Sequence, residues 1–189
     1  MMVRHAWHLW ILVLWGSQLR GQLMVNTIGA GRFATQVAVG RDGARNIECA
    51  VAFKPYSTFK LKSIALPLSV AGVPGAITLE LAADAGAPST VIESLSIKDV
   101  RATEPTVYTV TSVTHLVLEA YTQYWIVVRA TGSRQTRWWS TFDSSTSTLR
   151  PEARREAGKP WSVIYGPDPP GIVVVGERSP AVAMVFCVK

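Results

Sequence analysis

Histidine and cysteine are scarce in this 189-residue chain, with three of the first and two of the second. His5 and His8 fall in the first 21 residues, which leaves His115 as the one histidine of the remainder. A Ser-His-Asp relay needs a base between nucleophile and orienting acid. His115 beside the apolar Leu116-Val117-Leu118 reads as a surface or satisfied core residue instead. No catalytic residue is assigned, and the chain is expected not to be an enzyme. Acids are also few, 13 against 19 Lys and Arg. Glu80, Asp84, Glu93, Glu119 and Asp143 are scattered. Glu80 and Glu93 are expected to face each other across a hairpin, where two glutamates usually solvate a sheet face rather than cleave a glycoside. Lys and Arg form no stripe, which argues against nucleic acid as a partner. No cofactor is expected. No apolar run reaches the roughly 20 residues that span a bilayer, and no stretch keeps a helical period.

The N-terminus is laid out as an export signal. Arg4 precedes the short apolar run Trp7–Trp15, and a small, polar tail follows from Gly16 to Gln22. That order is the one a secretory signal peptide shows. Residues 1–21 are assigned to it, with the cut between Gly16 and Gln22. Its loss takes Arg4 and Arg20 and lowers the net charge from +6 to +4. The mature chain is then expected outside the cytoplasm, secreted or in the cell envelope, with no transmembrane segment.

What is present points to strands. Val, Thr, Ile and Ser are plentiful, and Gly and Pro recur as turn formers. Ile77, Leu79 and Leu81 alternate with Thr78, Glu80 and Ala82, then Asp84-Ala-Gly-Ala-Pro88 turns the chain into a second run through Ile97. Phe59 and Leu61 share one phase, while Ile64, Leu66, Leu68 and Val70 share the other. The change predicts a bulge near Lys62-Ser63. Pro67 cannot donate to a ladder, which predicts an edge or bulge position. Tyr124, Ile126 and Val128 should point one way and Trp125, Val127 and Arg129 the other. Further strands are expected at Arg32–Val39, Ala50–Lys54, Val107–Ser112, Arg137–Phe142, Trp161–Tyr165 and Val182–Val188. Glu152–Glu156 is either a helical turn or a strand, and its neighbours favour the strand. Nine or ten short strands between turn signals make a single antiparallel β-sandwich, jelly-roll-like. Its limits are 48–189, with an N-terminal strand or linker at 22–47.

Cys49 and Cys187 lie near the two ends of the folded region. Export permits a disulfide between them, and closing so long a loop is worth at most about 5 kcal/mol. The alternative is two buried thiols packing as small hydrophobes. The disulfide is the expectation.

The order Ala52-Phe53, Phe59-x-Leu-x-Ser-Ile-x-Leu-x-Leu68, Ile77-x-Leu-x-Leu81, Asp84-x-Gly-x-Pro88, Val91-Ile-Glu-Ser94 and Leu118-x-Ala-x-Thr-x-Tyr-Trp-Ile-Val127 forms a recognisable series. With a Trp-containing strand and a final Val-x-Phe strand, it resembles the choice-of-anchor domains of the R type, exported bacterial β-sandwich modules. The resemblance covers residues 48–188 and rests on packing and turn motifs. It implies export and a jelly-roll-like module, and it supplies no catalytic residues. Many such domains carry a C-terminal sorting tail; here the last expected strand runs directly to Lys189.

Tryptophans are the candidate binding groups. Adjacent Trp138 and Trp139 must point to opposite faces of a strand, so one fills the core and the other is exposed or covered by a loop. Trp161 and Tyr165 lie on the next strand pair. An exposed aromatic beside polar groups would stack a sugar ring; packing under the loop at 143–151 is the competing reading. Asp84 before Gly86 and Asp143 before Ser144-Ser145 are candidate Ca²⁺ ligands, although an Asx turn explains both equally well. The expected function is a non-enzymatic exported module with a structural or binding role at or outside the envelope. Its partner would be a glycan or a matrix component. The alternative is a carbohydrate-binding module.

Overall fold

The computed structural model describes residues 22–28, 33–71, 74–131, 135–141, 150–166 and 170–178. Residues 1–21, expected to be a signal peptide, the 143–148 loop with Asp143, the strand expected at 182–188 and Cys187 lie outside these residues. Among the described residues every regular element is a strand and every pairing is antiparallel. This is the all-β class that the turn-punctuated alternation predicts. Among them no helix is long and apolar enough to cross a membrane.

The strands are β1 (Gln22–Asn26), β2 (Phe33–Asp42), β3 (Arg45–Phe53), β4 (Phe59–Val70), β5 (Gly75–Asp84), β6 (Pro88–Val100) and β7 (Thr106–Thr111). They continue as β8 (Val117–Leu118), β9 (Tyr124–Thr131), β10 (Gln135–Thr141), β11 (Arg150–Glu156), β12 (Ser162–Gly166) and β13 (Val173–Arg178). Hydrogen bonds join them in the order β1-β13-β4-β10-β2-β3-β9-β5-β6, with β7 and β8 on β4 and the β11–β12 hairpin on β3. The sheet curls so that one face of nearly every strand meets in a common core.

That core is written in period two. Ile77, Leu79 and Leu81 of β5, Leu95 and Ile97 of β6, and Tyr124, Ile126 and Val128 of β9 all enter it. Each fully buried aliphatic side chain contributes about 1.5–3 kcal/mol. The β5–β6 hairpin forms as predicted, turning through Gly86 at φ +81°. Its register corrects one expectation. Glu80 sits opposite Ser94, and Glu93 sits opposite Leu81. The two glutamates therefore lie on opposite faces of the hairpin and do not meet.

β4 carries its bulge at the predicted place. β13 pairs Val175 with Ser63 and Gly176 with Leu61, skipping Lys62. The slip turns the apolar set back toward the core, as the phase change requires. Pro67 is not at an edge, because β4 has neighbours on both sides. Pairing with β13 ends at Ala65 and pairing with β10 starts at Leu68, so Pro67 sits between these two ladders. Gly171 packs beside it: a β-carbon there would lie 3.2 Å from Pro67 Cγ and 3.3 Å from Trp139 O.

The other face of β9 makes a second, smaller cluster. Trp125 lies between Ala52 of β3 and Ala82 of β5 and is fully buried. Alanines at 50, 52, 82 and 153 leave room for the flat indole.

Candidate functional site

A cleft of about 310 Å³ opens where β2 changes partners. β2 pairs with β10 from Phe33 to Gly40 and with β3 from Gly40 to Asp42. Gly40 is the corner, at φ +90°, a backbone state that side-chain-bearing residues disfavour. β11 lies along β3 with Glu156 opposite Ile47 and Arg154 opposite Cys49. Ala38, Asp42, Arg45, Ile47, Arg154, Arg155 and Glu156 line the space between.

The lining offers donors and acceptors together. Arg45 is exposed and makes no ion pair among the described residues. Arg154 Nη2 donates to Glu152 Oε1 at 3.0 Å, and Arg155 Nε donates to Glu48 Oε2 at 2.6 Å. The Arg155 guanidinium also lies 4.3 Å over the Trp161 ring, a cation–π contact. Glu48 accepts from Arg129 Nη1 at 3.2 Å, and Arg129 Nη2 reaches Glu80 Oε2 at 2.9 Å. Trp161, Arg155, Glu48, Arg129 and Glu80 thus form a continuous row that runs from the β11–β12 hairpin over β3 and β9 to β5. Glu48 is buried, so the row holds Arg155 in a fixed position behind the cleft.

Beneath the cleft lies Cys49. Its thiol is free and buried, and Sγ–H donates to Ala38 O at 3.4 Å. Burial pushes its pKa up to about 12; Arg154 opposes that shift, while Glu152 and Glu48 reinforce it. Cys49 is free in this structure, and Cys187, its expected partner, lies outside the described residues. Cys49 faces inward from mid-strand, with its sulfur turned toward the β2 backbone.

The predicted binding aromatics part company. Trp138 and Trp139 do point to opposite faces, but Trp138 is the buried one and cannot meet a ligand. Its Nε1–H donates to Gly171 O at 2.9 Å. Trp139 is half-buried, and its Nε1–H donates to Ser69 Oγ at 2.8 Å. Both belong to β10, between β4 and β2. Trp161 and Tyr165 belong to the β11–β12 hairpin on β3, where Trp161 is half-buried and Tyr165 exposed. Asp84 is committed within the fold: its Oδ1 accepts from Trp125 Nε1 at 2.6 Å and from Gln123 Nε2 at 3.0 Å. Among the described residues no three of His, Cys, Asp and Glu gather as metal ligands. His115 is exposed, with Nδ1 at 3.3 Å from Leu61 O.

Sequence reasoning missed Arg45, Arg154 and Arg155. The available signal was the density of charge in Glu152-Ala-Arg-Arg-Glu156 beside a strand-forming segment. No protein-family model matches the chain, and no curated protein matches it.

Proposed function

We propose that this protein is a non-enzymatic, exported β-sandwich module that acts by binding at or outside the cell envelope, with the β2-corner cleft as its site. The observation that carries this reading is the cleft lining, which gathers Arg45 and Arg154 with Asp42 and Glu156. Guanidinium groups donate and carboxylates accept, which matches the hydroxyls of a saccharide, each both donor and acceptor. The mixed charge does not favour a purely anionic ligand. Trp161 and Tyr165 stand on the other face of the β11–β12 hairpin, with Arg155 and Ala153, so the lining itself carries the reading. This favours the carbohydrate-binding reading over a purely structural one and relocates it from Trp138 and Trp139 to the cleft. The export signal at 1–21 and the resemblance to choice-of-anchor domains support the extracytoplasmic setting.

Affinity electrophoresis in gels containing soluble polysaccharides tests the reading. Retardation that Arg45→Ala with Arg154→Ala abolishes supports it. Retardation unchanged in that variant removes the cleft from the function. Self-association without polysaccharide binding favours the structural role.

A further inference from the structure

Five strands have one pairing partner each among the described residues: β1, β6, β7, β8 and β12. The free side of such a strand offers unpaired N–H and C=O groups to another chain. Four of these edges are blunted. β8 has only two residues. The pairing of β1 shifts register between Leu23 and Val25. β6 shifts register three times against β5 and carries the buried Glu93 within its length. β7 has the end of β6 alongside it: Tyr108 Oη accepts from Arg101 N–H and from Ala102 N–H, each at 3.1 Å. Bulges, inward charge and cover are the devices that protect a sheet edge.

β12 has none of them. Ser162–Gly166 holds no charge and no proline. It pairs with β11 residue by residue, from Ser162 opposite Arg154 to Gly166 opposite Arg150, without a shift. β11 is fixed in turn to β3, and Ala157 N–H donates to Asn46 O at 2.8 Å beside it. Ile164 is 43% exposed and Tyr165 is 68% exposed. A short, straight, uncharged edge of β-branched and aromatic residues is thus held in strand conformation, which lowers the entropy lost on binding.

We propose that β12 pairs antiparallel with β12 of a second copy of this chain, about a two-fold axis at Ile164. The backbone groups of an edge call for an extended strand as occupant, and the residues of β12 select which strand. Centring the pair on Ile164 uses all five residues of the strand. Val163 of each copy then stands opposite Tyr165 of the other, and Ser162 stands opposite Gly166. Val163 and Tyr165 share a face, so each of these pairs joins an aromatic ring to a β-branched side chain, a favourable cross-strand combination. Centring on Val163 or Tyr165 leaves strand residues unpaired. A charged strand would find no partner here for its charges, whereas β12 itself brings none. No residue lining the β2-corner cleft lies on β12, so the pairing is independent of the cleft.

The test is sedimentation equilibrium of the full chain from about 1 to 500 μM, in reductant so that no cysteine cross-link contributes. A five-residue pairing lies at the small end of protein interfaces, and a dimer with a Kd of about 10–100 μM is expected. Ile164→Lys sets two like charges opposite each other at the axis and should weaken association at least about tenfold. Ile164→Glu alone should do the same. An equimolar mixture of the two variants should regain the dimer, because Lys then faces Glu, and this rescue is specific to pairing about position 164. Equal thermal unfolding midpoints check that the variants are folded. A monomer at every concentration, a dimer that Ile164→Lys leaves intact, or a Lys–Glu mixture that stays monomeric would each overturn the proposal. Arg45→Ala with Arg154→Ala should leave the dimer unchanged, which separates this result from the fate of the cleft; loss of the dimer in that variant would move the contact to the cleft and overturn the proposal as well.

Discussion

Ser112 Oγ–H lies 2.9 Å from Glu93 Oε2, joining strand β6 to the segment that leaves β7. Glu93 Oε1 also accepts from Val113 N–H at 2.8 Å and Thr114 N–H at 3.0 Å. No ladder pairs β6 with β7 among the described residues, so this carboxylate clasps the curled sheet where strand hydrogen bonds do not. Burial pulls the Glu93 pKa up. The bonds from Thr114, Ser112 and Val113 outweigh it and hold the carboxyl below its usual value. Replacing Glu93 with Gln is expected to lose about 2 kcal/mol, read by urea unfolding at pH 7. A group with a depressed folded pKa stabilises above its unfolded value, about 4.3 for Glu. That contribution is lost as pH falls through the folded pKa. The gap between wild type and Glu93→Gln should thus be constant from pH 7 to 5 and shrink below about 4. A gap that does not depend on pH would mean the charge of Glu93 is irrelevant to the clasp.

Gly176 faces the β4 bulge, and a β-carbon there would meet the Phe59 ring and come within 2.9 Å of Lys60 O. The ring is fully buried and the carbonyl is backbone, so neither yields easily. Gly176→Ala should cost about 2 kcal/mol through overpacking. At Gly86 nothing lies within 4 Å of the added carbon, and only the positive φ opposes the change. Gly86→Ala should cost about 1 kcal/mol. Thermal unfolding that ranks the two in the reverse order would put the strain in the turn rather than at the bulge.

A thiol held near pKa 12 is inert at neutral pH, because the thiolate is the reactive form. Cys187→Ser isolates Cys49 for titration. Ellman's reagent at pH 8 should find no reactive thiol in the native variant and one in denaturant. Rapid reaction of the native protein would show that the β2 corner opens. In the wild type without reductant, the denatured chain should also release the Cys49 thiol; absence of any thiol there would establish the bond to Cys187.

Much of this fold is legible in local sequence, because period two and turn residues act within a few positions. The β5–β6 hairpin, the two faces of Tyr124–Ala130 and the slip at Lys62 are all of this kind. Facts that depend on register are not. Glu80 and Glu93 are separated by the hairpin's pairing, and a one-residue slip would exchange their faces. Pro67 reads as an edge or bulge residue, since nothing local reveals that it falls in the gap between the β13 and β10 ladders. The site follows the same division. Trp161 and Tyr165 are visible as hairpin aromatics, but Arg45 reaches Arg154 only through β3–β11 pairing across about a hundred residues.

Arg129 joins two carboxylates, Glu48 on β3 and Glu80 on β5, and this centres the row of charges behind the cleft. Its side chain is 31% exposed, against 8% for Glu48 and 14% for Glu80, so the acids are the better buried partners. Removing one member of such a group strands a charge, whereas replacing a pair by apolar groups is often neutral. Arg129→Met should therefore destabilise by about 2 kcal/mol, because Glu80 loses its cation while Glu48 keeps Arg155. Adding Glu80→Met should restore more than half of that loss. Urea unfolding of the two variants measures the difference, and salt should change it little, since buried pairs are weakly screened. If the double variant is less stable than Arg129→Met, the row contributes net stability as a unit, and its role extends beyond fixing Arg155 at the cleft.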